Sequence, residues 1–384
     1  MPISRLNAPN AANNGWNTVG EKYLARSTLV LGSISFTSIF SLFLCTCFSS
    51  SSFLVITVQC MSCSCSPFVS FSALKLALKV PLVVEYRDML TDDPYTKSNA
   101  FKKLVNKAIE KHVINRASAV VSVSDPIIDD LVRKHGIEGD MKFTAIPSAF
   151  DPEDFEKVAP VDDGKKFVLA LTTSLYGDRN PETIFSAISL LKKAGKVKPD
   201  NFSLDIYGYN PEKQHAPLLE TLGITDVVHF KGFVPHSECI SAMKGSTYNL
   251  DIGESKFDYP TIPYHFWEYI GSGKQVLHLG RRFDYKASFV RNNRLGIVLQ
   301  IGRPMEAAVL LHTLMVDNER GLKRTVPAGF ASKNTWDDRV EMLASVLQQV
   351  DGIAKFKPFS LPKPGGVVPG RYSFDDDYVA VYTG

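Results

Sequence analysis

Apolar residues in this chain fall into short dense runs, separated by stretches where they recur at helical spacing. The runs at 53–58 (FLVITV), 80–86 (VPLVVEY), 119–123 (AVVSV) and 142–146 (KFTAI) predict buried strands. Between them, 98–116 has helical periodicity with a charged outer face, and 127–134 predicts a second helix. Ser124, just ahead of Pro126, is placed to cap that second helix. A second alternation begins after 150–166. Strands are expected over 167–172, 203–207, 227–230, 248–252 and 296–300, with helices over 181–193, 212–222 and 237–243. In 259–280 a Pro-bounded loop leads into a short helix carrying Glu268, a Gly271-Ser272-Gly273 stop and a strand at 275–279. A carboxylate so placed suits the hydroxyls of a sugar or ribose. The last periodic segment, 336–350, predicts a C-terminal helix.

Strands alternating with helices imply parallel sheets with crossover helices. Two such blocks imply an α/β protein of two doubly wound, Rossmann-like domains facing a cleft. The expected organisation is an acceptor-side domain over 1–150, an acidic, Pro-containing linker over 151–166, a nucleotide-binding domain over 167–355 and a C-terminal arm over 356–384. Too few strand–helix units precede position 80 for a complete mononucleotide half, so the first domain is read as atypical.

Composition narrows the function classes. A chain of 384 residues, 45% of them hydrophobic, can bury two cores. The net charge of +3 gives no reason to expect nucleic acid; a slightly basic face would favour anionic substrates or an anionic membrane surface. No charged residue and no His occurs from Ser27 to Leu74. Within it, 28–48 is long enough to span a bilayer, and Lys22 and Arg26 ahead of it suit a cytoplasmic N-terminus. Its many Ser, Thr, β-branched and aromatic residues equally suit buried strands. Five of the six cysteines lie between Cys45 and Cys65, and Cys239 stands alone. The Cys60-x-x-Cys63-x-Cys65 spacing has no nearby His, so thiols in a reducing compartment are the better reading than zinc. No G-x-G-x-x-G follows a strand, which argues against a nicotinamide dehydrogenase.

Several phrases, in order and spacing, carry a resemblance. They are PLVVEYRD ending at Asp88, IEKHVINRASAVVSVS ending at Ser124, AIPSAFD ending at Asp151, TSLYGDRNP over 173–181, VHFKGFVP over 228–235 and IPYHFWEYIGSGK over 262–274. The chain resembles the GT-B-fold retaining glycosyltransferases of the large family-4-like group, which includes many bacterial polysaccharide and lipopolysaccharide sugar transferases. The likeness covers about 80–350.

The resemblance implies transfer of a sugar, with retention, from a nucleotide-diphosphate donor to a glycan or lipid-linked acceptor. The work would be cytoplasmic or at the cytoplasmic face of a membrane, with peripheral or anchored membrane contact. No metal or other cofactor is expected; cations and backbone donors would stabilise the leaving diphosphate. Arg179, in the same loop as Tyr176, would grip phosphate, and Glu268 would accept the ribose hydroxyls. Gly232 and Phe233 would lie beside the base. His265 stands where the family has Lys and could still meet phosphate. The family's second acid falls at Pro260, so Glu254 or Asp258 would have to substitute near the transferred sugar. Asp88 would face the cleft and orient the acceptor, or else pair with Arg87 or cap a helix. Pro260, Ser148-Ala149 for Asn-Gly and Gln275 for Pro depart from the family pattern. A non-catalytic sugar-nucleotide-binding or scaffold relative in a glycan assembly complex is therefore the rival reading.

Overall fold

The computed structural model describes residues 33–35, 45–50, 53–58, 81–89, 91, 99–137, 142–161, 166–175, 178–208 and 212–351. Among the described residues there are three sheets. The first is antiparallel, in order β1 (Ser33–Ser35), β2 (Cys45–Ser50), β3 (Phe53–Val58). Two of these strands fall largely within 28–48; the rest of that stretch lies outside the described residues, as do Cys60, Cys63, Cys65 and 356–384. Among the described residues no helix is long and apolar enough to cross a membrane.

The second sheet is parallel: β4 (Val83–Tyr86), β5 (Ala119–Ser122), β6 (Phe143–Ala145). Its crossover helices are α1 (Ala100–Arg116) and α2 (Asp125–His135). Val84, Tyr86 and Val120 pack against Val113, Ile114, Ile127 and Leu131 on one face. Val83, Ala119 and Val121 face the other way, where Val346 and Leu347 of the last helix, α11 (Trp336–Asp351), cover them. The polypeptide thus returns from the second unit to seal the first. Its two crossings lie side by side: Phe150 pairs with Thr335, and the Trp336 N–H donates to Phe150 O at 3.1 Å.

The third sheet is parallel throughout. Its strands are β7 (Phe167–Leu171), β8 (Phe202–Tyr207), β9 (Val228–Gly232), β10 (Tyr248–Ile252), β11 (Val276–Gly280) and β12 (Gly296–Gln300), in spatial order β12-β11-β10-β7-β8-β9. Reading from the far edge and counting β7 as first, this is the third-second-first-fourth-fifth-sixth order of a dinucleotide-binding fold. Buried runs such as FVLAL and VLHLG explain the strands, because both faces of a parallel sheet are covered. The helices between them are α4 (Glu182–Lys193), α5 (Glu212–Leu222), α6 (His236–Gly245), α7 (Tyr264–Gly271), α8 (Tyr285–Asn292) and α9 (Pro304–Glu319). A short helix, α3 (Pro152–Glu156), lies between β6 and β7, and a one-turn helix, α10 (Ala328–Ala331), precedes α11.

Most boundaries fall within a residue or two of the sequence expectation. Helices α3, α8, α9 and α10 were not expected. PMEAAVLLHTLMVDNE in α9 is apolar over most of its circumference, so no amphipathic stripe marks it. Ser124 also departs from expectation. It precedes α2 in extended conformation but makes no capping bond. Its hydroxyl instead donates to Pro260 O at 2.6 Å, joining the first unit to the second.

Candidate functional site

In an open parallel sheet a ligand binds beyond the carboxyl ends of the strands, where the winding reverses. Here that point lies between β7 and β10. The loop after β7 carries Arg179, and the loop after β10 carries Glu254 to Pro263. The two loops are joined. Arg179 donates to Glu254 Oε1 from Nε at 3.1 Å and from Nη2 at 3.0 Å, and from Nη1 to Thr173 Oγ1 at 3.4 Å. Both partners of this ion pair are buried. Asp178 accepts from the Lys256 N–H at 2.7 Å and the Ser255 hydroxyl at 3.3 Å. The two loops therefore meet through two pairings, one ionic and one from backbone and hydroxyl donors.

Beneath the loop after β10 lies a buried charge cluster. Asp251 Oδ1 is 2.9 Å from His265 Nε2, while Oδ2 is 2.6 Å from His278 Nδ1 and accepts from Lys286 Nζ at 3.1 Å. His278 Nε2 points to Asp284, 3.5 Å away. Burial alone would raise the Asp251 carboxyl, but the Lys286 ammonium and the two imidazoles hold it well below the usual range. Burial lowers His265, a shift its bond to Asp251 only partly offsets. Burial also pulls His278 down, yet its bond to Asp251 and the neighbouring Asp284 carboxylate prevail and raise it. The cluster needs glycine beside it: a Cβ on Gly280 would stand 2.2 Å from His278 Nε2 and 2.7 Å from Asp284 Oδ2. His265, expected to meet phosphate, is thus held on Asp251 at the start of α7.

Glu268 lies one turn further along α7, at the seam with α6. Its Oε1 is 2.5 Å from His236 Nε2 at the first position of α6. Burial pushes the Glu268 carboxyl up, and the His236 and Tyr264 hydrogen bonds oppose that only in part. On the same helix the Tyr269 hydroxyl oxygen accepts the Thr172 N–H at 3.0 Å, so α7 is fixed against the end of β7.

The remaining expected positions surround this edge. Gly232 ends β9 with φ 71°, a conformation suited to glycine, and its carbonyl accepts the Gly208 N–H at 2.7 Å. Phe233 beside it is exposed. Asp258 accepts the Tyr285 N–H at 3.0 and 3.1 Å, and burial raises its carboxyl. Asp88, past the end of β4, accepts from the Tyr259 hydroxyl at 3.0 Å across the two units. Tyr176 lies outside the described residues. His236, Asp251, His278 and Lys286 were missed by the sequence reading. Only an Asp at the end of β10 and a His inside the otherwise apolar VLHLG strand could have signalled them. Cys239, half-buried near Glu268, has its thiol pushed up to about 12 by burial and by the nearby carboxylates, which makes it unreactive.

No protein-family model and no curated protein matches this chain. Solved structures do. HepE from Anabaena, solved in complex with UDP-glucose, superposes with a TM-score of 0.55 at 16% identity, over 76% of this chain and 78% of that one. Sucrose-phosphate synthase from Thermosynechococcus elongatus gives 0.56 at 12% identity, over 78% and 74%. A glycosyltransferase from Rickettsia africae gives 0.51 at 12% identity, over 74% and 80%. These structures are GT-B glycosyltransferases, and at such identities the likeness is one of fold. The chain has the GT-B architecture: an α/β protein of two Rossmann-like units.

Proposed function

We propose that this protein is a glycosyltransferase. It takes a sugar from a nucleotide-diphosphate donor bound at the carboxyl edge of the β7–β12 sheet and transfers it to a glycan or lipid-linked acceptor, with retention. The observation that carries this reading is that a buried guanidinium, Arg179, and a buried carboxylate, Glu268, both stand on elements at the carboxyl edge of one sheet, beside its switch point. An arginine fork fits phosphate oxygens, and a desolvated carboxylate fits a vicinal diol. The structures of similar fold include one solved with UDP-glucose.

On this reading the nucleoside spans from Gly232 and Phe233 to Glu268, and the diphosphate reaches Arg179. There it takes over the guanidinium from Glu254. The N-terminus of α4, starting just after Arg179, adds its dipole to the developing charge. The acceptor hydroxyl attacks the anomeric carbon on the face that the diphosphate leaves. The acceptor oxygen–carbon bond forms, the carbon–phosphate oxygen bond breaks, and the proton passes to the departing phosphate oxygen. The protein then works by positioning and by stabilising charge. Asp88 and Tyr259, bonded across the cleft, border the acceptor side.

One observation favours the rival, a sugar-nucleotide-binding relative without turnover: Arg179 is already neutralised by Glu254. The purified chain is titrated with UDP, GDP, ADP and CDP while its melting temperature is followed, and donor-sugar hydrolysis is then assayed. Stabilisation with release of sugar supports the transferase. Stabilisation with no turnover of any donor selects the non-catalytic relative, and no stabilisation by any of the four refutes both.

A further inference from the structure

Helix α1 carries two apolar faces. The inner one, with Ile109, Val113 and Ile114, packs on the β4–β6 sheet. Of the nine large apolar side chains exposed among the described residues, three sit within five positions of α1: Phe101 at 75%, Leu104 at 67% and Val105 at 38%. With exposed Ala108 they recur at i, i+3, i+4 and i+7, a single stripe roughly opposite the inner face. Lys102, Lys107, Lys111 and Arg116 flank the stripe, and Lys103 lies beyond it, all exposed. The one acid of the helix, Glu110, is fully buried on the inner side, bonded to Thr91 and His135. The first turn holds Lys102 and Lys103 and no acid, although helix stability by itself favours carboxylates there.

We infer that α1 docks this protein on an anionic bilayer surface, with Phe101, Leu104 and Val105 entering the headgroup–acyl boundary and the lysines meeting lipid phosphates. The charge pattern selects this occupant. A protein groove or a second copy of the same helix would meet a stripe ringed by cations, and two such helices repel. A bilayer rich in anionic lipid matches both the apolar stripe and its basic margins. The orientation also fits. β4 and β5 are parallel, so α1 runs back against them and its first turns lie at their carboxyl edge. Asp88 and Ser124 lie at that same edge. Docking there brings the lipid surface to the cleft's first-unit side, where a lipid-linked acceptor would enter. The inference needs no nucleotide and stands independently of the donor reading.

The test is cosedimentation of the full chain, without nucleotide, with vesicles of phosphatidylcholine alone or with about a third phosphatidylglycerol. Wild type is expected to pellet with the anionic vesicles only, and to be released as salt rises. Lys107→Gln/Lys111→Gln should weaken binding roughly 30-fold, at about fivefold per lysine. Phe101→Ser/Leu104→Ser should weaken it roughly tenfold or more. All four positions are exposed, so the melting temperature should hold in both variants. As a second readout, Phe101→Trp should show blue-shifted emission and quenching by brominated lipid when anionic vesicles are added. Failure of folded wild type to bind, equal binding to neutral vesicles, or wild-type affinity in both double variants overturns the inference. So does self-association of wild type that Leu104→Ser abolishes, because the stripe would then belong to a second copy.

Discussion

Two buried carboxylates stand at the same sheet edge, one on a strand and one on the helix that follows it, and are built in opposite ways. Asp251, at the end of β10, is surrounded by an ammonium and two imidazoles and stays ionised despite full burial. Glu268, on α7, has His236 and Tyr264 beside it, and burial wins. The difference separates a framework charge from a receptive one. Asp251 has its partners within the fold, and its work is to hold His265, His278 and Lys286 in place. Glu268 is under-compensated, which is the state a ligand's hydroxyls can improve.

The sharpest break of this comparison is Asp251→Asn. It leaves Lys286 without its buried counter-charge and takes from His265 and His278 the carboxylate they share, and such losses cost about 3–5 kcal/mol. The midpoint of urea unfolding at pH 7 should fall accordingly. A depressed carboxyl contributes stability above its unfolded value, and that contribution is lost as pH falls through its folded value. The wild type should therefore lose more stability than Asp251→Asn on strong acidification, and the two should converge.

Glu268→Gln should behave in the reverse sense. A carboxyl raised by folding costs stability above its folded value, and the cost disappears on acidification. The variant's melting temperature at pH 7 should be equal to wild type or higher. Its nucleoside diphosphate affinity should drop about 10- to 100-fold, as for loss of hydrogen bonds to a charged group. Wild-type affinity should weaken on acidification at a higher pH than an ordinary glutamate would set. Retained affinity in isothermal titration would remove Glu268 from the ribose.

Glu254→Gln comes next in size. If diphosphate must take Arg179 from Glu254, neutralising the competitor should tighten binding about tenfold, as for weakening a hydrogen bond to a charged group. Unchanged affinity would mean that Arg179 does not meet phosphate. The smallest effect is expected for Tyr259→Phe, which removes the donor to Asp88. It should cost about 1 kcal/mol in denaturant unfolding and leave nucleotide affinity intact.

The fold was legible where the pattern was local. The buried runs of the second unit and the α7 stop at Gly271-Ser272-Gly273 follow from short-range chemistry, and the strands that the runs specify appear within a residue or two. Arg179 and Glu268 were also visible, as polar residues in a recognisable phrase. The pairings around them were not. Glu254 lies 75 positions from Arg179, and Asp251 draws in His265, His278 and Lys286 over 14, 27 and 35 positions. Pairings of that kind are set by which strands the topology brings together, and no periodicity reports it. Ser124 teaches the same lesson. Its place before Asp125-Pro126 suggests a cap, but a carbonyl 136 positions away takes its hydroxyl.

The paired crossings at Phe150 and Thr335 carry a mechanical consequence. Both passes of the chain between the units lie along one short line, so a rotation about that line stretches neither. Such a rotation would act on the Tyr259–Asp88 and Ser124–Pro260 bonds, which tie the units together away from the pivot in sequence. The arrangement is a door hung on two adjacent pins, with two light catches between its leaves.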